Sequence, residues 1–298
     1  MIKQTLYFGN PTYLKIQNKQ LHIHIKTLVN EKKITRPIED IGVVLLDNNQ
    51  ITITHSVIKA LQNNKVAIIS CDDSHMPNSL MLPIEGHSEQ SERYRYQIEA
   101  SQPLKKNLWQ QTVVTKIRNQ RLVLDLLEKP SKRLKVLETR VTTGDAENVE
   151  GQAAAYYWGI YLDGFRRDRD GDAPNGMLNY GYAIIRSMVA RALVSSGLLP
   201  TLGIHHKNKY NAYCLADDIM EPYRPFVDLI VYDLYKNEGE YTFLSTKSKK
   251  RLLNVATVDA LFGKKKSPLM VGMSLTTSSL AQCYMGEKRR IIYPKMTM

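Results

Sequence analysis

Hydrophobic and polar residues alternate along the first part of the chain. Leu21, Ile23 and Ile25 take every second position there, with polar side chains between them, and this period of two is typical of a half-buried strand. A continuous apolar run at residues 41–46 instead predicts a strand that is covered on both faces. The predicted strands are residues 20–26, 41–46, 51–54 and 66–70, with a short helix at 56–62. We therefore predict a small β-rich domain over residues 1–75.

The pattern changes after this region. Residues 72–92 contain Pro77, Pro83, Gly86 and four serines, a composition that favours an interdomain loop, and we predict a linker over residues 76–95. Farther on the apolar period is that of a helix. The predicted helices run from Pro103 through Leu124, from near Asn148 to about Phe165, over 179–196 and over 215–236. The sequence thus predicts an α+β fold, in which the linker joins the β-rich domain to a larger, all-α catalytic domain over residues 96–298.

Composition narrows the class of protein. The 298 residues are 43% hydrophobic and 23% charged, which excludes a disordered tail or a fibre. No apolar run reaches the roughly 20 residues of a membrane helix. The three cysteines, Cys71, Cys214 and Cys283, are too widely spaced for a zinc knuckle or a disulfide framework. With no signal-peptide pattern at its beginning, we expect a cytoplasmic protein that does not associate with a membrane.

Positive charge is concentrated near the end of the chain. Lys and Arg number 41 against 29 Asp and Glu, for a net charge of +12. Residues 241–298 hold eleven basic and two acidic residues, which is +9 of that total. Three clusters stand out as candidate DNA-phosphate contacts: Lys249, Lys250 and Arg251; Lys264, Lys265 and Lys266; and Lys288, Arg289 and Arg290. The alternative is a solvated tail that keeps the protein soluble.

Glu150 is the first candidate for chemistry. It stands at the head of the predicted helix that begins near Asn148, whose side chain can cap the helix, and apolar and aromatic residues follow it along one helical face. A carboxylate on a buried face needs a cation to compensate its charge. The alternative is a glutamate that points into water and is favoured by the helix dipole.

Two further segments carry candidate ligands. His205 and His206 lie in a loop, and Asp218 and Glu221 are three residues apart on one helical face a little farther on. Carboxylates with one imidazole suit Mg²⁺ or Mn²⁺, whereas zinc sites more often use two or three histidines. A pair of histidines in a loop is, by itself, more often exposed on the surface without binding a ligand. In a basic protein, however, this set predicts a metal-dependent enzyme that acts on nucleic acid. No phosphate-binding GxxxxGK[ST] loop, GxGxxG fingerprint or GxSxG nucleophile elbow is found.

Four motifs in order resemble a known family. They are Glu150-Gly151-x-Ala153-Ala154, the segment Leu178-Asn179-Tyr180-Gly181-Tyr182, Gly203-x-x-His206, and the segment from Asp218-Ile219-Met220-Glu221 to Pro225. Together they resemble the CRISPR adaptation integrase, and more narrowly its version from type II systems. The resemblance covers most of the chain, and the order of a β-rich domain, a linker and a helical domain fits the fold of that family.

The resemblance implies a site and a reaction. Glu150, His206 and Glu221 would be the metal ligands for Mg²⁺ or Mn²⁺, and Asp218 would be a catalytic residue beside the metal; His205 is the alternative to His206. The 3′-hydroxyl of a captured DNA duplex would attack a phosphodiester at the edge of a CRISPR repeat. The β-rich domain would form a homodimer, and two dimers would flank a small ferredoxin-like partner; the type II effector nuclease is a further candidate partner. The competing functions are a non-catalytic DNA-binding scaffold and a free-standing metal-dependent endonuclease.

Overall fold

The computed structural model of the protein describes residues 3–26, 31–168, 170–239 and 244–297. These residues form two compact units that divide between Gly86 and His87. The first unit is mostly β-structure and the second is mostly helical, so the predicted α+β class is confirmed.

The first unit contains two four-stranded sheets and one helix. In one sheet β1 (Gln4–Phe8), β5 (Ile41–Leu46) and β7 (Ala67–Cys71) are parallel and β8 (Pro77–Met81) is antiparallel at the edge. The other has the order β4-β3-β2-β6, made of β2 (Thr12–Gln17), β3 (Gln20–Lys26), β4 (Glu31–Pro37) and β6 (Ile51–Ile53). Helix α1 spans His55–Asn63. The predicted strands at 20–26 and 41–46 are confirmed.

Aliphatic side chains from both sheets and from α1 form the core of this unit. Leu14 and Leu21 on β2 and β3, Ile41 on β5 and Leu61 on α1 are all fully buried members of one cluster. The residues that alternate along β3 thus have their apolar face in this core, as the period of two requires.

The predicted linker at 76–95 contains regular structure at both ends, and the first unit extends beyond residue 75. The carboxylate of Asp72 accepts hydrogen bonds from the backbone N–H groups of Ser74 and Met76, both at 2.9 Å. This side-chain turn reverses the chain, so that β8 pairs with β7. A loop was predicted over this segment because a short edge strand that contains proline and serine has the composition of a loop.

The second unit begins with a polar helix and contains most of the helical structure. Its helices are α2 (Gln90–Glu99), α3 (Gln102–Leu126), α4 (Lys132–Arg140), α5 (Val149–Tyr161), α6 (Asn175–Ser195), α7 (Cys214–Met220), α8 (Arg224–Tyr232), α9 (Thr246–Leu253) and α10 (Leu269–Tyr284). The 25-residue α3 packs against α4, α5 and α8. The first part of α2, up to residue 95, falls in the predicted linker but belongs to the second unit. Farther along this helix, the buried Gln97 bonds to the backbone of Leu199 and Leu202.

The second unit is not entirely α-helical. A small antiparallel sheet has the order β10-β9-β11, made of β9 (Asp259–Phe262), β10 (Lys265–Pro268) and β11 (Pro294–Lys295). The prediction of an all-α domain was therefore wrong in this detail, since strands of two to four residues leave little periodic signal. Within the described ranges, no helix is long and apolar enough to cross a membrane.

Candidate functional site

Local hydrogen bonds fix the start of α5 and with it Glu150. Asn148 has a left-handed backbone with φ of 49°, and its side chain accepts a hydrogen bond from the Gly151 N–H at 3.2 Å. The Asp145 carboxylate accepts two more, from the N–H groups of Val149 at 2.9 Å and Glu150 at 3.0 Å. These acceptors satisfy the free donors at the helix start. The predicted cap at Asn148 is confirmed, and the Glu150 side chain is directed from a rigid helix terminus.

Glu221 lies in a turn of 3₁₀ helix, Glu221–Tyr223, between α7 and α8, and is only 5% exposed. Its Oε1 atom lies 3.0 Å from Arg224 Nη2 and its Oε2 atom lies 2.5 Å from Lys116 Nζ. Burial alone would raise the pKa of this carboxyl, but the two cations outweigh it and lower the pKa below its ordinary value. Glu221 is therefore a buried carboxylate that keeps its charge.

Lys116 joins the two glutamates. Its ammonium contacts Glu150 Oε1 as well as Glu221 Oε2, and the residue is 8% exposed on α3. Burial lowers the pKa of the ammonium, but the charges of Glu221 and Glu150 more than compensate and raise it above the ordinary value. Lys116 was not predicted as a site residue. The sequence shows only that Thr112, Lys116 and Asn119 are polar at helical spacing, and the burial of this part of α3 becomes visible only in the structure.

Asp218 organises the histidine loop. The carboxylate is fully buried; Oδ2 accepts hydrogen bonds from the backbone N–H groups of Ile204 at 2.7 Å and His205 at 2.9 Å, and Oδ1 accepts one from His206 at 3.2 Å. Oδ1 also lies 2.5 Å from His206 Nδ1. At Gly203 a Cβ atom would lie 2.4 Å from the His206 carbonyl oxygen and 2.8 Å from Asp218 Oδ2. Glycine is thus required for this close approach.

The two neighbouring histidines have different surroundings. The His205 ring stacks on Trp109, with centroids 4.1 Å apart and planes inclined by 4°, and burial lowers its pKa. His206 meets Trp109 edge-on at 5.8 Å, and its hydrogen bond with Asp218 raises its pKa. Since Asp218 engages Nδ1, the Nε2 atom of His206 is the nitrogen that can bind a ligand. This arrangement favours His206 over His205 as a metal ligand.

The predicted ligands form two adjoining pairs. Glu150 and Glu221 meet at the Lys116 ammonium, and His206 is paired with Asp218, while the charge of Glu221 contributes to the raised pKa of His206. Among the described residues, no group of three or more His, Cys, Asp or Glu side chains is close enough to enclose a metal. The donor chemistry nonetheless suits a divalent ion, because two carboxylates already converge on a positive charge and an oriented imidazole lies near them.

A second buried polar cluster lies along the chain from Glu221. Asp228 on α8 is 1% exposed and accepts hydrogen bonds from the hydroxyls of Tyr182 and, at 3.0 Å, Tyr157. The guanidinium of Arg224 lies over the Tyr182 ring, 4.9 Å from its centroid. Burial raises the pKa of Asp228 to about 7 even though these donors act in the opposite direction. This cluster, which the sequence analysis missed, therefore packs against the arginine that holds Glu221.

The raised pKa of Asp228 has a defined consequence for stability. An unfolded Asp loses its proton near pH 4, whereas the folded state keeps it up to about pH 7. Between these values the folded state binds more protons than the unfolded state, so this group makes the protein less stable as the pH rises through that window. The effect ends above about pH 7, where both states are ionised.

Of the first predicted DNA-contact cluster, Lys249, Lys250 and Arg251, only part is exposed to solvent. Lys249 on α9 is 4% exposed, so its prediction as a DNA contact was wrong: the side chain is inside the fold. Arg251 is paired with Asp233 at 2.7 Å and with Glu238 at 3.3 Å. Lys250 is exposed. A sequence run of three cations cannot reveal this, because successive helical residues point in directions about 100° apart.

The other two predicted clusters are exposed. Lys264, Lys265 and Lys266 lie at and beside the tip of the hairpin that joins β9 to β10. Lys288, Arg289 and Arg290 follow α10 and line an open groove of about 840 Å³ that α3 also lines. The side chain of Gln111 on α3 bonds to the Arg289 carbonyl at 3.0 Å, which fixes this segment against the helix. Both clusters thus present cations to solvent.

Comparison with known proteins identifies the family. The sequence model described as CRISPR associated protein Cas1 matches residues 6–261. The chain is 38% identical over 239 residues to the CRISPR-associated endonuclease Cas1 of Neisseria meningitidis serogroup C (strain 8013), covering 79% of this chain and 77% of the relative. It is 28% identical over 262 residues to CRISPR-associated endonuclease Cas1 2 of Pyrobaculum aerophilum, covering 83% and 88% of the two chains.

Solved structures share the fold. A casposase bound to integration product superposes with a TM-score of 0.79 at 22% identity, over 98% of this chain and 92% of that one. A CAS1 protein from Thermotoga maritima superposes with a TM-score of 0.75 at 15% identity, over 99% and 100%. The chain therefore belongs to the CRISPR-associated Cas1 family.

Proposed function

We propose that the protein is a divalent-metal-dependent DNA integrase and endonuclease of CRISPR adaptation. In this reaction the 3′-hydroxyl of a captured DNA fragment attacks a phosphodiester at the edge of the repeat. The attacking hydroxyl gives up its proton as a new P–O bond forms to its oxygen, the P–O bond to the leaving 3′-oxygen breaks, and that oxygen takes up a proton. The motif resemblance supports the type II branch.

The observation that carries this proposal is the convergence of Glu150 and Glu221 on one buried cation, beside an imidazole that Asp218 orients. Glu150, His206 and Glu221 would hold Mg²⁺ or Mn²⁺. When bound, such an ion neutralises charge on the scissile phosphate and stabilises the leaving oxygen. Membership in a family whose relatives are called endonucleases supports phosphodiester chemistry.

The residues around the ligands have separate tasks. Asp218 holds the loop that carries His206 and directs its Nε2 atom. Arg224 keeps the Glu221 carboxylate charged and oriented, and Asp145 fixes the helix terminus from which Glu150 extends. Together they preorganise the ligands, so that little reorganisation is required when the reaction begins.

We also propose an assembly on double-stranded DNA. The exposed clusters at Lys264–Lys266 and Lys288–Arg290 would bind phosphates. Similarity to structures described as a Cas6-RT-Cas1–Cas2 complex and a TtCas1-DNA complex supports a small Cas partner and DNA as ligands. A homodimer through the β-rich unit and a contact with the type II effector nuclease are further parts of the proposal.

The experiment is transfer of a labelled 3′-end into a plasmid that carries the repeat, in Mn²⁺. Wild type should form the joined product, and Glu150→Ala and His206→Ala should abolish it while duplex binding stays nearly intact. Full activity in either variant contradicts the ligand assignment. Nicking of the plasmid without joining by the wild type supports the free-standing endonuclease instead.

A further inference from the structure

The ammonium of Lys116 lies at the position where the two proposed metal-binding carboxylates meet. It contacts Glu150 Oε1 at the head of α5 and Glu221 Oε2 in the turn after α7. Glu221 Oε2 is itself buried, and the Lys116 ammonium lies 2.5 Å from it. A buried carboxylate oxygen that is paired with a cation can accept a metal ion in place of that cation.

The four charged groups in direct contact with one another balance in charge. Glu150 and Glu221 carry two negative charges, and Lys116 and Arg224 carry two positive ones. A divalent ion between the carboxylates would add two further positive charges in a buried place, where repulsion is weakly screened. Lys116 and the ion therefore compete for the same two oxygens, and rotation about the bonds of the flexible lysine stem can move its ammonium away from them.

We propose that Lys116 is a positioning residue that occupies the ion's place in the metal-free protein and is displaced when a divalent ion binds. This inference rests on the proposed function in one respect, namely that Glu150 and Glu221 are the metal carboxylates. The lysine prevents the buried Glu221 carboxylate and the half-buried Glu150 carboxylate from repelling each other, so that the site stays assembled in the absence of metal. The same contacts weaken metal binding, because they must be broken first.

The first test is a titration of the full chain with Mn²⁺, with free Mn²⁺ measured by electron paramagnetic resonance. Lys116→Met should bind Mn²⁺ about tenfold tighter than wild type or more, since its competitor is gone. Its metal-free form should melt at a lower temperature, and Mn²⁺ should raise this temperature more than it does for wild type. Lys106→Met, which removes an exposed ammonium from the same helix, is the matched control and should behave as wild type.

The outcomes separate the two claims. Equal or weaker Mn²⁺ binding by Lys116→Met, with binding intact in the wild type, overturns the role of Lys116 and leaves the metal site standing. Such a result would mean that the lysine acts together with the ion. If neither protein binds Mn²⁺, the proposed metal site fails and this inference fails with it. Binding by the variant alone supports the competition.

A second test needs no variant and covers the case in which Lys116→Met does not fold. The wild-type protein is treated with an amine-reactive reagent with and without Mn²⁺, and modification of each lysine is quantified by mass spectrometry. Lys116 should be protected in the metal-free protein, because it is 8% exposed and paired with two carboxylates, and its labelling should rise severalfold with Mn²⁺. Labelling of Lys106 should not change. Unchanged or reduced labelling of Lys116 overturns the proposal.

Discussion

Replacing Asp218 with Asn is the change that tests the organisation of the site most sharply. The carboxylate accepts three backbone hydrogen bonds, from Ile204, His205 and His206, and a fourth interaction with the His206 ring. Asparagine has nearly the same shape but offers one acceptor oxygen and one NH₂ donor. When the amide oxygen of the new side chain keeps the bonds to Ile204 and His205, the NH₂ group of that side chain takes the place of Oδ1. The His206 N–H then faces a donor instead of an acceptor.

The free energy lost in Asp218→Asn follows from the number of hydrogen bonds that change. Two hydrogen bonds change from charged to neutral acceptors, which loses about 1 kcal/mol each, and the partly buried N–H of His206 loses its partner at about 1–3 kcal/mol. The loop around His206 should therefore be destabilised by about 3–5 kcal/mol in Asp218→Asn. Because a loop can open locally, this loss need not appear in full in the free energy of global unfolding.

Amide hydrogen exchange is thus the decisive assay. The Ile204 and His205 N–H groups should exchange at least a hundredfold faster in Asp218→Asn than in wild type, which corresponds to about 2.7 kcal/mol. Strand-transfer activity should fall in parallel, because the His206 ring loses its orientation. Wild-type exchange rates at both amides would refute the assignment of Asp218 as the organiser of the loop.

Three other changes have defined outcomes. Asp228→Asn should abolish the loss of stability that burial of this carboxyl imposes between about pH 4 and pH 7. In urea unfolding, the free energy of unfolding of wild type should therefore fall by about 4 kcal/mol relative to that of the variant over this pH range. Parallel pH profiles of the two proteins would contradict the raised pKa. Gly203→Ala places a Cβ atom 2.4 Å from a backbone oxygen, so we expect about 1–3 kcal/mol of destabilisation and at least tenfold slower strand transfer; a fully active, equally stable variant would rule out this constraint. Replacing Lys264, Lys265 and Lys266 with Gln should reduce the slope of log Kobs for DNA against log salt by about 2–3, whereas an unchanged slope assigns the cluster to another role.

The parts of the fold that could be predicted are those with a sustained pattern. Strand β3 was predicted from strict alternation, and α5 from an Asn cap ahead of a long apolar stripe. The edge strand β8 was missed because the turn at Asp72 that brings it onto β7 depends on side-chain hydrogen bonds, and its residues include proline and serine. Strands β9 to β11 were missed because two to four residues are too few to show the alternation by which a strand is recognised.

The candidate site could be predicted only in its acidic and histidine residues. Glu150 and Glu221 lie in recognisable motifs, whereas Lys116 on α3 carries meaning only once the two glutamates are brought to it. The stack of Trp109 on His205 likewise depends on tertiary packing. Lys249 shows the opposite case, since its place in a basic run indicated a surface contact and packing of α9 buries it.

Anomalous diffraction from crystals of this protein soaked in Mn²⁺ would show directly whether the three proposed ligands hold a metal ion. We predict one strong manganese peak bounded by Glu150, Glu221 and the Nε2 atom of His206, with the Lys116 ammonium moved away from the two carboxylates. Crystals of Glu150→Gln should lack the peak under the same conditions. A wild-type map with no manganese among these three side chains, or with manganese held elsewhere, would contradict the account.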